Sequence, residues 1–169
     1  MLVVRTTLRT GISAIQEGIN MKIDKAGLDI IKNFEGFSNK PYLDQALVPT
    51  IGYGTTHYGI GGRAVTMGDH EISKDVATLL MEDQINATYG RAVNHAVRTT
   101  INQNQFDALV SFTYNVGVAG LHASNVLKYI NKGKLAEADT QFSHWNHVNG
   151  KVDRGLTHRR LLEARLFNA

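Results

Sequence analysis

Glu35, Asp44 and Thr50 are the residues of this sequence whose types and spacing best suit acid–base chemistry. Glu35 falls at the end of a helical stretch, where the partial negative charge of the helix terminus disfavours a carboxylate. Phe34 and Phe37 flank it and would partly strip it of water. Both effects favour the protonated form, which a general acid needs. Asp44 comes nine positions later in a polar, β-prone segment where ionisation is easier. Two carboxyl groups in unlike surroundings match the division of labour in glycoside hydrolysis, one a proton donor and one an anion. Thr50 follows by six, on the strand expected to return beside Asp44. Its hydroxyl both donates and accepts, which suits it to holding a water against the aspartate. Spacing alone is weak support, since an acidic pair nine apart occurs in most chains as ordinary surface residues.

The elements around these residues follow from periodicity and punctuation. A helix is expected from Asp24, its N-cap, with Leu28, Ile31 and Phe34 on one face and Gly36 as its stop. Tyr42 to Asp44 and Thr50 to Gly54 are short, β-prone and glycine-punctuated, as in a small hairpin or three-stranded sheet. Gly59, Gly61 and Gly62 extend that turn-rich region to about residue 68. Everything later reads helical. Ser73 caps a segment through Val76, Leu79 and Leu80 to about Val93. The stripe Phe106, Leu109, Val110, Thr113 and Val116 marks a central buried helix ending at Gly117. Ser124 to Asn131, Leu135 to Trp145 and Arg159 to Phe167 complete the set, with Trp145 anchoring the core between the last helices. The sum is an α+β fold: a small β-hairpin lobe, a larger helical lobe, and a cleft between them of the kind ligands occupy. Met21-Lys22 reads like a second beginning, which makes residues 1–20 an N-terminal extension of unread role and 21–169 the domain proper.

Three runs gather around the acidic pair: Phe34-Glu35-Gly36-Phe37, Pro41-Tyr42-Leu43-Asp44 and Pro49-Thr50-Ile51-Gly52-Tyr53-Gly54. Together they resemble the active-site signature of phage-type lysozymes, the endolysins of glycoside hydrolase family twenty-four, in which Glu, Asp and Thr stand at this spacing. The similarity continues through Asn102 to Phe112, Asn115-Val116-Gly117, Trp145, Gly155-Leu156 and Arg159 to Phe167, so it covers about residues 22–169. The resemblance implies a lysozyme-like fold and a substrate, peptidoglycan, cut between N-acetylmuramic acid and N-acetylglucosamine, with host cell lysis as the outcome. It implies Glu35 as general acid and Asp44, helped by Thr50, as activator of the attacking water. The family is mostly described as inverting, which implies carboxyl groups far enough apart to admit that water. It also points to Tyr114, on the central helix, and Ser124, opening the next, as substrate-binding positions. For Tyr114 a place as a core aromatic is the competing reading. Arg159 or Arg160 could supply a cation near Glu35, with a solvated basic helix face expected to account for at least one of them. Two departures bear on the cleft. Ala46-Leu47 replaces the usual glycine turn, where a positive φ at Leu47 would be strained, and Thr55-Thr56 stands where a histidine is common.

The whole chain bounds the remaining possibilities. It has 169 residues, 43% hydrophobic and 20% charged, the profile of a globular domain large enough to bury a core. The absence of cysteine excludes disulfides, thiol nucleophiles and cysteine-based zinc sites. Seven scattered histidines, His144 and His147 included, show no metal-ligand spacing, and neither metal nor cofactor is expected. The net charge is +3, and eight Lys or Arg against four acids follow Val126, so an anionic envelope surface is an additional partner. Nucleic acid is not expected, and the chain reads as a monomer. Residues 1–20 lack the continuous apolar centre of a secretory signal, so host cytoplasm is the expected location before lysis. Two alternatives stay open. One is a lytic transglycosylase, which uses a lone glutamate and for which Asp44 and Thr50 would be superfluous. The other is a non-catalytic protein disrupting wall or membrane through Arg154, Arg159, Arg160 and Arg165.

Overall fold

In the computed structural model, which describes residues 20–169, the chain past Asn20 enters helix α1, Lys25–Phe34. The expected extension, residues 1–20, lies outside the described residues save for Asn20 itself. Asp24 caps α1 by accepting from the Ala26 amide at 2.9 Å, as its side chain and position predict. The helix ends at Glu35, whose backbone turns extended (φ −95, ψ 137), one residue before the glycine expected to stop it. Gly27, Leu28, Ile30 and Ile31 form its buried face.

The β-hairpin lobe follows at once. Strands β1, Ser38–Leu43, and β2, Pro49–Gly52, pair antiparallel, with Tyr42 opposite Thr50 and Leu43 opposite Pro49. Between Ser38 and Tyr42 the register shifts by a bulge, which bends β1 as bulges do. A third strand does not form. Two isolated bridges, Ile51 to Thr55 and His57 to Ala64, continue the lobe instead. Gly52 has φ +68 and lies so close to α2 that a Cβ would meet that of Ala77 at 2.9 Å. A glycine is therefore required where the hairpin leans on the helical lobe.

Helix α2, Lys74–Ile85, is capped by Ser73 and runs into a π-helical turn, Asn86–Gly90, and then α3, Arg91–Ala96. Ala77, Met81 and Ile85 bury, while Val76 and Leu79, which marked this helix in the sequence, are exposed. The contact with Gly52 sets the inward face, and it admits alanine better than a larger side chain.

Helix α4, Gln103–Ala123, is the core. It opens with a capping box from Asn102 and Gln105, and breaks at Gly117 (φ +80, ψ 162) where the stripe was expected to end. Two short helices follow, α5 at Asn125–Ile130 and α6 at Leu135–Gln141, then a 3-10 turn at Phe142–His144. A small hairpin, β3 (His147–Val148) with β4 (Lys151–Val152), leads to α7, Arg154–Phe167. Asp153 caps α7, so it begins five residues before the Arg159 start expected from the sequence. Phe112 is wedged edge-on against Phe142 and Trp145, which fixes α4 to the C-terminal elements. Among the described residues no helix is long and apolar enough to cross a membrane.

Candidate functional site

Asp44 sits just past β1 in the hairpin turn and is half-buried. Its Oδ1 accepts from the amides of Ala46 at 2.8 Å and Val48 at 2.9 Å, which locks the carboxylate onto the turn. The backbone adds a bond from the Leu47 amide to the Asp44 carbonyl and one from the Asp44 amide to the Val48 carbonyl. Closing this turn puts Leu47 at φ +61 with its side chain 74% exposed. The turn therefore keeps the left-handed position that a glycine would favour, filled by leucine, where the strain was expected to change it.

Thr50 is 2% exposed, and its hydroxyl donates to the Val48 carbonyl at 2.9 Å. That bond uses its hydrogen and leaves the oxygen as an acceptor. Asp44 continues the ladder opposite Val48, so Asp44 and Thr50 are diagonal neighbours on one face of the hairpin, roughly 7–8 Å apart by strand geometry. Side chains reaching across that backbone separation on one face can bring a carboxylate and an oriented acceptor oxygen within the two hydrogen-bond lengths that one bridging water spans.

Glu35 is the C-cap of α1, half-buried, with its amide bonded to the Ile31 carbonyl at 3.2 Å. The expected aromatic neighbours turn partly elsewhere: Phe37 packs on Tyr53 at 5.2 Å and Phe34 meets His158 edge-on. The apolar cover on Glu35 is therefore partial. Three residues later Ser38 pairs with Gly52, two positions beyond Thr50, so the hairpin base joins the end of α1 to the strand carrying Thr50.

Tyr114 joins Glu35 at the junction of the lobes. Burial first, then the Glu35 carboxylate, push its phenol well above the usual range. Tyr89, from the π-helical turn, stacks edge-on against it at 5.2 Å, and Arg159 lies 5.7 Å from its ring centre. Ser124 is placed differently. It is 3% exposed, donates to the Leu121 carbonyl at 2.7 Å and accepts from the Leu127 amide, which makes it the N-cap of α5.

The C-terminal cations also divide. Arg159 and Arg160 are 3% and 2% exposed, so neither is a solvated base nor part of an envelope-binding surface; that expectation is corrected. Both are drawn inward by Glu163, which is 0% exposed and lies 3.2 and 2.9 Å from their Nε atoms. Ser111 donates to the same carboxylate at 2.8 Å. Arg159 lies 5.2 Å from the centre of the ring of Phe34, the residue before Glu35, whereas Arg160 turns to Phe112. Sequence reasoning missed Glu163, although its spacing of four and three from the two arginines is that of a helical ion pair. It also missed Tyr89 and the Val48 carbonyl, which no side-chain pattern announces.

The hairpin lobe on a helical lobe built around α4, with Glu35 where they join, defines the lysozyme-like α+β class. The phage lysozyme family model matches residues 32–163. The endolysin of Bacillus phage PZA is 40% identical over 149 residues, 88% of this chain and 56% of that endolysin. A crystal structure of P22 lysozyme is 31% identical with a TM-score of 0.78, covering 88% of this chain and 99% of that one. The muramidase domain of SpmX from Asticaccaulis excentricus is 34% identical with a TM-score of 0.70, over 88% of this chain and 98% of that one. The chain belongs to the phage lysozyme family. It spans about half the length of the Bacillus phage endolysins it matches.

Proposed function

We propose that the chain hydrolyses the β-1,4 bond between N-acetylmuramic acid and N-acetylglucosamine in peptidoglycan, and so lyses the bacterial host. Membership of the phage lysozyme family supports the wall-lytic reading. Glu35 protonates the glycosidic oxygen of the leaving sugar. Asp44 takes one hydrogen bond from a water and then its proton, while Thr50 Oγ1 accepts the water's second hydrogen. The water's lone pair is left aimed at the anomeric carbon, and attack on the face opposite the leaving group inverts that centre. Tyr114 meets the sugar chain beside Glu35. The observation that carries this reading is the Thr50 hydroxyl, committed as donor to Val48 and hence an acceptor beside Asp44.

Replacing Glu35 by Gln keeps the shape and removes the acid. Activity on purified peptidoglycan is expected to fall by about 10²–10⁴. Undiminished lysis of permeabilised cells by this variant would sink the catalytic reading. Product mass separates hydrolysis from transglycosylation, since an anhydro product is lighter by one water. The working form is a monomer held in the host cytoplasm until lysis; fractionation of expressing cells before lysis checks the location.

A further inference from the structure

The turn that holds Asp44 is more strained than its shape demands. The Leu47 amide donates to the Asp44 carbonyl at 3.0 Å, and the Asp44 amide donates to the Val48 carbonyl at 3.1 Å. These bonds close a three-residue hairpin loop whose last residue is left-handed, a position that glycine fills without strain. Leucine takes it here, at φ +61. Burial of the side chain would offset the strain, yet Leu47 is 74% exposed. Nothing in the folded chain therefore explains why a leucine stands there.

The register of the hairpin shows what lies beside it. Tyr42 pairs with Thr50 and Asp44 lies opposite Val48, so Val48 stands on the face that carries Asp44 and Thr50. Leu43 and Pro49 take the other face. Val48 is 40% exposed on that catalytic face. Leu47 precedes it at the tip, its Cα within about 7 Å of that of Asp44, as a closed turn requires. Two accessible aliphatic side chains thus border the carboxylate. Between Leu43 and Pro49 the only charged residue is Asp44 itself, so this border suits an uncharged, apolar group.

The proposed reaction seats the muramic acid ring at Asp44, because the anomeric carbon under attack belongs to that sugar. Both sugars of the strand carry an N-acetyl group. Only muramic acid also carries a stem peptide, joined through a lactyl ether on the ring and beginning with a small apolar residue such as alanine. We infer that Leu47, with Val48 beside it, is a specificity residue that takes the apolar start of this stem. The inference rests on the proposed activity for the placement of the ring. Strain held in the free protein is then offset in the complex, where the leucine is covered. A contact made alike before and during the reaction acts through KM rather than kcat.

Soluble glycan strands with their stems intact, and the same strands stripped by an amidase, test this. The parent should cleave intact strands with a kcat/KM at least about tenfold higher, the difference lying in KM. Leu47→Asn accepts the left-handed position and removes the apolar side chain, so it should lower that ratio by about fivefold or more without lowering Tm. Leu47→Met keeps an apolar contact and should keep the ratio. A parent ratio of one, or an undiminished ratio in Leu47→Asn, overturns the inference. An equal loss in Leu47→Met overturns it too, since the shape of the turn would then be at work. A parent that cleaves neither strand sinks the activity and the inference with it. A fully active Glu35→Gln sinks only the assignment of the acid, and the ratio still decides the role of Leu47.

Discussion

The hairpin turn and the α4–α7 junction both hold carboxylates, by opposite means. At the turn, Asp44 is fixed by two backbone amides and stays half open to solvent. At the junction, Glu163 is sealed from water and shared by two arginines and a serine. Burial pushes the Glu163 carboxyl up, against the pull of those neighbours, and pushes the Arg160 guanidinium down. An accessible carboxylate that is rigidly aimed can exchange a proton with a ligand. One buried between two cations instead fastens helices together. Strong electrostatic perturbation therefore marks structural joints here as much as chemistry.

Removing the Glu163 carboxylate is the severest test of that contrast. Glu163→Ala leaves two buried guanidinium groups uncompensated and should cost about 3–5 kcal/mol, lowering Tm by roughly 10 °C. Thermal unfolding measures this, and an unchanged Tm would erase the distinction between the two regions.

A second joint shows how burial perturbs a carboxyl away from the cleft. Asp107, on α4, is fully buried and accepts from the Asp24 amide and Gln103. Burial, with Asp24 beside it, raises it from 3.8 to about 7. The folded chain then keeps a proton that the unfolded chain loses, so this contribution is complete below pH 3.8 and lost as pH rises to about 7. Asp24 is shifted the other way, by Asp107, and acts below that window. Asp107→Asn should flatten stability across the window; a denaturation series in pH showing the same slope as the parent counts against it.

At the hairpin the effects should fall on activity. Thr50→Val keeps shape and removes the water's acceptor, so kcat should drop about 10- to 100-fold with Tm lowered only slightly. Loss of stability with unchanged kcat would make Thr50 a structural residue. Smallest is Leu47→Gly. It relieves a left-handed leucine worth about 1–2 kcal/mol while adding about 0.5–1 kcal/mol of chain entropy. A gain of up to about 1 kcal/mol by denaturant unfolding is expected, and a loss would show that the exposed leucine makes a contact of its own.

Much of this was written locally. The caps at Asp24 and Ser73, the break at Gly117, the hairpin and the α+β order follow from short-range rules that act on neighbouring residues. So did the spacing of Glu35, Asp44 and Thr50. Tertiary structure decided what depends on distant partners. The inward face of α2 was set by the approach of Gly52 to Ala77, against the more apolar Val76 and Leu79. Arg159 and Arg160 look like surface bases until Glu163 and Ser111 arrive from one helix turn and another helix to neutralise them. Ser124 caps α5 because the turn of chain behind it supplies both partners of its hydroxyl. Local sequence fixes what a residue can do, and packing fixes which of those capacities is already spent.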